Sequence, residues 1–158
     1  MSFNHFDASG NAIMVDVSQK VPTMRTAIAG AVLTLKPETV QAIVSGRVAK
    51  GDVLGVARIA GIAGAKKTPE LIPLSHPLAL HHVSIEFEVD ERQGTIAVMA
   101  TVRAFERTGV EMEAMAAATV AALTVYDMCK GSDKGIVISD VKLHYKEGGK
   151  SGVFKREA

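Results

Sequence analysis

Residues 83–105 read VSIEFEVDERQGTIAVMATVRAF and predict a β-hairpin. From Val83 to Val89 the odd positions are apolar and the even positions are polar, which is the period-two pattern of a strand with one wet face. The ERQG segment that ends at Gly94 is typical of a turn, and a second apolar run follows from 95 to 105. The hairpin therefore supplies two antiparallel strands to which the other elements must pack.

Elements on both sides of this hairpin complete an α+β pattern. The sequence predicts a strand at 26–35, helices at 37–45 and 50–66, a long helix at 111–130 and a last strand at 136–145. This order matches the split, ferredoxin-like arrangement of an antiparallel sheet with helices packed on one face. We expect one domain over 1–158, with polar or Gly-rich mobile ends at about 1–12 and 146–158.

The composition excludes several classes of protein. Eighteen Lys and Arg against 17 Asp and Glu give a net charge of +1, and 47% of the 158 residues are hydrophobic. A strongly basic nucleic-acid binder and a disordered acidic tail are both disfavoured. The longest apolar stretch, 53–65, is too short to cross a bilayer, so no membrane role is predicted. A single cysteine, Cys129, rules out an intrachain disulfide and favours a reducing cytoplasm.

The long helix carries charged residues at both ends and almost none between them. Glu111 and Glu113 stand in its first turn, where acids commonly do no more than balance the helix dipole. Asp127 and Lys130 near its end could exchange a proton or form an ordinary helical ion pair. Fourteen residues separate Glu113 from Asp127, about 21 Å of helix. If both ends serve one reaction, a second subunit must lay its helix alongside in the antiparallel direction.

The segment KKTPELIPLSHPL at 66–78 offers further polar candidates. Lys66 and His76 lie on a loop that its prolines restrain, which suits a polyanion or, for the imidazole, a proton transfer. A solvated lysine beside a packing histidine is the plainer interpretation. Lys20 and Arg25 add cationic candidates without a motif of their own.

Three familiar kinds of site do not fit this sequence. Gly149, Lys150 and Ser151 imitate the end of a phosphate-binding Walker A loop, but the first glycine of that motif is missing and no helix is predicted to follow. The histidines at 76, 81 and 82 have no standard metal-ligand spacing, so no metal site is predicted. Cys129 falls in a largely apolar helix and is interpreted as a packed thiol.

Four segments together are more specific than any one of these features. They are MVDVSQKVPTMRTAIAGA at 14–31, KKTPELIPLSHPL at 66–78, GVEMEAMAAATVAALTVYDMCK at 109–130 and KEGGKSG at 146–152. Across nearly the whole chain, the sequence resembles the cyclic pyranopterin monophosphate synthase family of molybdenum cofactor biosynthesis. The resemblance implies a lyase that converts a 3′,8-cyclo-dihydro-GTP intermediate into the cyclic pterin monophosphate and releases diphosphate.

The resemblance also implies site residues. Asp127 matches the family's catalytic acid/base position, with Lys130 as its partner. Substrate-binding positions match Leu74, Ser75, His76, Met112, Glu113, Lys50, Lys66 and Lys146, and Glu111 and Arg25 are added as charged candidates. Ser75 stands where the family commonly has cysteine, so a thiol cannot be essential there if activity is retained. We expect Glu113 to accept hydrogen bonds from the guanine edge, while the lysines and His76 stabilise phosphate charge.

The family resemblance further implies a homohexamer built as a trimer of dimers, with sites between subunits. No resident cofactor is expected, although Mg²⁺ could assist departure of the diphosphate. Two other functions compete with this one. A non-catalytic nucleotide sensor would use the same lysines. An RNA-binding domain would need exposed aromatic residues on the sheet, where Ser84, Glu86 and Glu88 stand instead.

Overall fold

The computed structural model describes residues 5–157, which form a five-stranded antiparallel sheet with helices against it. The strand order is β2-β3-β1-β4-β5, so the first strand lies between the third and the fourth. The elements are β1 Thr23–Thr34, α1 Pro37–Val44, α2 Val53–Lys66, α3 Thr68–Leu71, β2 His82–Asp90, β3 Thr95–Glu106, α4 Glu111–Cys129, β4 Val137–Glu147 and β5 Phe154–Lys155. The predicted α+β class is confirmed.

The predicted hairpin is present as β2 and β3. Its register runs from His82 opposite Arg103 to Asp90 opposite Thr95. Gly94 closes the turn with a φ of +68°, and a Cβ there would collide with the Leu35 carbonyl, so only glycine fits. β1 then pairs with β3 along its whole length.

Helices α2 and α4 pack side by side on one face of the sheet, in antiparallel directions. The chain just before α2 contacts the end of α4 through Lys50, whereas Gly61 and Gly64 face the middle of α4. Alanines form much of the buried surface of α4 and β1, and all of them are at most 2% exposed: Ala27, Ala29 and Ala31 in β1, and Ala114, Ala117, Ala118, Ala121 and Ala122 in α4. The core is therefore built largely from small side chains.

A buried carboxylate fixes the turn that follows α4. Asp133 accepts hydrogen bonds from the Lys36 backbone N–H (2.9 Å) and the Thr39 hydroxyl (3.1 Å), both at the start of α1. It also accepts one from the Gly135 N–H at 3.3 Å. Because Asp133 is buried and its bonds cross between distant segments, it ties the end of α4 to α1.

The structure differs from the sequence prediction at two places. The last strand was predicted to end at 145, yet residues 146 and 147 complete β4, and Phe154–Lys155 forms a further strand, β5, against Tyr145 and Lys146. The segment 66–78 was predicted as a loop because of its prolines, but it contains the short helix α3. Mobility of the chain ends stays a prediction. Across the described residues, every helix is too short or too polar to cross a membrane.

Candidate active site

Three charged side chains meet at the carboxyl end of α4. Asp127 Oδ1 lies 2.7 Å from Lys130 Nζ, and its other carboxylate oxygen lies 3.2 Å from Lys50 Nζ. Lys50 also donates to the Asp127 backbone carbonyl at 2.7 Å. Lys50 reaches this position because α2 and α4 are antiparallel, which places the residues before α2 beside the end of α4.

The two lysines hold Asp127 in its ionised form. Hydrogen bonds and charge from Lys130, and then from Lys50, lower the pKa of the Asp127 carboxyl. The same pair raises the pKa of Lys130. The Asp127 side chain is 56% exposed, so water still screens this cluster. In the single chain the cluster lies at the surface, and the pKa values of Asp127 and Lys130 are both shifted away from neutral pH.

A cavity of about 350 Å³ lies at the opposite end of α4. Its volume is within the range usual for small-molecule sites. It brings together six of the residues that the sequence predicted for substrate binding: Leu74, Ser75, His76, Glu111, Met112 and Glu113. The loop after α3 and the first turn of α4 thus form one wall each.

Glu113 is the most perturbed titratable group of this cavity. Glu113 is only 2% exposed. Burial raises the pKa of the Glu113 carboxyl to about 7, and the neighbouring Glu111 charge pushes it in the same direction. Near neutral pH the carboxyl therefore exists in both protonation states, which is the condition a general acid or base needs.

Two further contacts hold side chains that line this cavity. The His76 Nε2–H donates to the Val15 carbonyl at 2.6 Å, which leaves Nδ1 of a neutral ring as an acceptor. Lys146, from the end of β4, forms a short ion pair with the Glu111 carboxylate. Lys146 thus pairs with a side chain that lines the cavity, and its role in substrate binding stays a prediction.

The remaining two predicted residues lie elsewhere. Lys66 is the exposed last residue of α2, and its ammonium group forms no ion pair within residues 5–157. Arg25 is buried and donates to three backbone carbonyls, those of Glu106, Arg107 and Gly148. It faces a second cavity rather than the one that contains His76.

Sequence reasoning missed part of the first cavity's lining. The lining also includes Val15, Val17, Thr108 and Gly109, which the sequence did not mark. Lys20 lines the cavity too, although the sequence marked it only as a positively charged candidate without a motif. Apolar side chains and backbone atoms carry no chemical motif that would mark them. The one signal in the sequence was Gly109, because it stands just before the predicted long helix. In the structure, the Glu111 carboxylate occupies the space that a Cβ at 109 would fill.

Comparison with known proteins places the chain in a family. The model of the MoaC family matches residues 14–149. The chain belongs to the MoaC family. This MoaC-family match covers the first three of the quoted segments and all of the predicted site residues.

The MoaC-family chain is also similar to curated proteins along almost all of its length. Cyclic pyranopterin monophosphate synthase of Geotalea uraniireducens (strain Rf4) is 75% identical over 157 residues, which cover 99% of this chain and 98% of the relative. The proteins of the same name from Geobacter metallireducens (strain ATCC 53774 / DSM 7210 / GS-15) and Geobacter sulfurreducens (strain ATCC 51573 / DSM 12127 / PCA) are 69% and 68% identical, with the same coverage.

In the part that the structure describes, no group of three His, Cys, Asp or Glu side chains could hold a metal ion. The predicted absence of a resident metal site stays a prediction.

Proposed function

We propose that this MoaC-family chain is a cyclic pyranopterin monophosphate synthase. It converts (8S)-3′,8-cyclo-7,8-dihydroguanosine 5′-triphosphate into cyclic pyranopterin monophosphate and releases diphosphate, a step of molybdenum cofactor biosynthesis. The observation that carries this conclusion is the 75% identity to a protein of that name over 99% of the chain. The charges and cavities of the site support it.

The chemistry requires proton transfers and the stabilisation of phosphate charge. Ring opening and reclosure move protons at ring nitrogens and carbonyls, for which Asp127 with Lys130 at one end of α4 and Glu113 at the other are suited. In the phosphoryl step a sugar oxygen bonds to the inner phosphorus while the bond to the bridging oxygen breaks. Diphosphate leaves with the electron pair, and the hydroxyl proton passes to a base. Lysines and His76 stabilise the charge that develops.

Assembly is part of the same proposal. Asp127 and Glu113 stand about 21 Å apart along α4, because each residue advances the helix by about 1.5 Å. An antiparallel α4 from a second copy would bring its Asp127 cluster to the cavity that contains Glu113. Covering Asp127 and Lys130 would remove water, raising the pKa of the acid and lowering that of the amine toward each other. We propose a homohexamer, a trimer of such dimers.

Three finer assignments complete the proposal. The strand order with β1 between β3 and β4, and with two helices on one face, supports a ferredoxin-like fold. No resident cofactor is needed, because the reaction has no net oxidation or reduction, although Mg²⁺ on the phosphates could assist. A reducing cytoplasm suits the single, buried Cys129.

Turnover of the cyclic dihydro-GTP intermediate tests the function. Purified protein is incubated with this intermediate, and diphosphate release is followed together with formation of the pterin product. We expect Asp127→Asn to bind the intermediate while its turnover falls by about 10²- to 10⁴-fold, the usual contribution of a general acid or base.

Asp140→Asn is the matched control. Asp140 is exposed in β4, pairs with Lys142 and has a φ of 50°, which asparagine tolerates. It should retain turnover. A folded, assembled wild type that releases no diphosphate would contradict the enzyme and leave the nucleotide sensor. Equal turnover by Asp127→Asn and Asp140→Asn would contradict the catalytic role of Asp127.

A further inference from the structure

Residues 5–15, the strap, form an exposed hairpin that lies along the candidate active site. Every residue from 5 to 14 is exposed, and Val15 is half-buried. The first residue of the strap, His5, and its last, Val15, both line the cavity that contains His76. A segment that packs little against the protein thus forms part of the wall of the site.

The strap has hydrogen bonds of its own, which fix its shape. Phe6 pairs with Ala12 across the hairpin, and the Ile13 N–H donates to the His5 carbonyl at 2.9 Å. The Asp7 carboxylate accepts hydrogen bonds from two backbone N–H groups of the turn, each at 2.9 Å. Because the backbone of His5 is held from within the hairpin, the strap carries the His5 imidazole as one unit.

Two hydrogen bonds attach the strap and the residues that follow it to the sheet and its loops, within the part of the chain from 5 to 157. The His76 Nε2–H donates to the Val15 carbonyl at 2.6 Å. Arg107 Nε donates to the Lys20 carbonyl at 3.0 Å. Segments with few buried contacts open at a low cost in free energy. The strap can therefore swing about the anchored residues near Lys20 once the His76 bond breaks.

The cavity beneath the strap needs a hydrogen-bond donor that His76 does not supply. His76 already uses one ring N–H on Val15, so its neutral ring offers a substrate only an acceptor. The Glu111 carboxylate accepts as well, and it is already paired with Lys146. Among residues 5–157, ring nitrogens form hydrogen bonds in His76 and His81 but not in His5. The N–H of His5 is therefore available to a ligand.

We propose that His5 is a further substrate-binding residue, which the strap lays over the cavity so that its imidazole N–H donates to the bound substrate. The inference rests on the proposed function, because that function names the cyclic dihydro-GTP intermediate as the substrate. Its carbonyl, hydroxyl and phosphate oxygens can accept such a bond. Opening of the strap breaks the bond between His76 and Val15 and admits the substrate, and closure shields the reacting centre from water.

Steady-state turnover of the intermediate tests the contact that His5 makes. His5→Phe keeps an aromatic ring without an N–H, and we expect it to raise KM about fivefold, the usual effect of one lost hydrogen bond, with a smaller change in kcat. His5→Gln retains a side-chain N–H and should restore most of the affinity. His82→Phe is the matched control, because His82 is exposed on β2 and lies outside the lining of the cavity. Equal KM values for His5→Phe and His82→Phe overturn the proposal, even when the wild type turns over normally.

Hydrogen exchange measures closure of the strap apart from turnover. In Asp127→Asn, which turns the intermediate over slowly, a saturating concentration of the intermediate should slow exchange of the strap amides about fivefold. The Ile13 N–H reports this directly, since it is bonded to the His5 carbonyl. Adding His5→Phe should remove the effect, whereas adding His82→Phe should not.

The two measurements distinguish failure of the strap from failure of the proposed function. Exchange that is unchanged by the intermediate overturns the strap, whatever the rate of diphosphate release. Slower exchange that depends on His5, in a protein whose wild type releases no diphosphate, supports the strap and overturns the proposed reaction instead.

Discussion

At the scale of single residues, Glu113 is the side chain whose charge the fold controls most. It is buried at the start of α4, and its pKa is raised from 4.5 to about 7. The folded chain therefore holds a proton that the unfolded chain releases at lower pH. By contrast, the Asp127 carboxyl is held ionised by its two lysines. The two ends of α4 thus differ in proton affinity.

This difference predicts how stability changes with pH. Because the pKa of Glu113 is raised in the native state, this carboxyl costs no stability below about pH 4.5. The free energy of unfolding then falls as the pH rises through about 7. Glu113→Gln removes this loss. We expect its stability relative to wild type to increase by about 3 kcal/mol between about pH 4.5 and pH 8.5, from a pKa shift of about 2.5 at ~1.36 kcal/mol per unit. Urea unfolding at both pH values measures it.

Glu86→Gln is the control for Glu113→Gln. Glu86 is exposed on β2, so its substitution should change stability equally at both pH values. A Glu113→Gln variant whose advantage over wild type did not grow with pH would show that the carboxyl is solvated or paired in the native protein.

At the scale of elements, the contact between α2 and α4 sets the geometry of both ends of α4. Gly61 and Gly64 let the helices approach closely: a Cβ at 61 would lie 3.0 Å from the Ala117 carbonyl oxygen, and one at 64 would lie 2.9 Å from the Val120 side chain. This approach carries Lys50 to Asp127. The helix pair is therefore part of the site as well as of the core.

Gly64→Ala should destabilise the protein although alanine is the better helix former. The helix gains about 1 kcal/mol from the substitution. Overpacking against Val120 costs about 1–3 kcal/mol, so we expect a net loss of around 1 kcal/mol in denaturant unfolding. Val120→Ala in the same chain opens the space, and the double variant should regain at least wild-type stability. Additive effects of the two substitutions would contradict the close contact.

Sequence patterns predicted the elements with strong periodicity. The hairpin followed from alternation ending at Gly94, and α4 from its long alanine-rich run. The two-residue strand β5 has no period to detect, and α3 is one turn long. The Lys50 to Asp127 contact spans 77 residues and depends on the direction of α2, which no local pattern encodes. Family motifs, rather than spacing, supplied five residues that line the His76 cavity: Leu74, Ser75, His76, Met112 and Glu113.

At the scale of the whole molecule, α4 retains an outward face that α2 and the sheet leave uncovered. Met112 and Leu123 on this face are 42% and 56% exposed. Met112 also lines the cavity of Glu113, and Leu123 lies one turn before Asp127. An apolar helix face that joins two groups of charged site residues fits the antiparallel pairing of two copies.

Leu123→Lys should separate the copies and abolish turnover together. Because Leu123 is exposed in the single chain, folding stability should change little, by about 0.5 kcal/mol or less. Light scattering after size-exclusion chromatography measures the mass, and the diphosphate assay measures turnover. Gln93→Lys adds the same charge at the hairpin turn and should leave both unchanged. A Leu123→Lys protein that assembles and turns over like Gln93→Lys would contradict pairing through this face.

The alanine-lined contact between α4 and β1 also determines which mutations the protein can accept. Most buried positions are destabilised by truncation of the side chain, which leaves a cavity. An alanine has only a methyl group to lose, so truncation matters less here. At these positions larger side chains are the destabilising change, because extra methylene groups overpack the contact between the helix and the sheet. We therefore expect only residues of similar size, such as serine, glycine and cysteine, to be accepted at these positions.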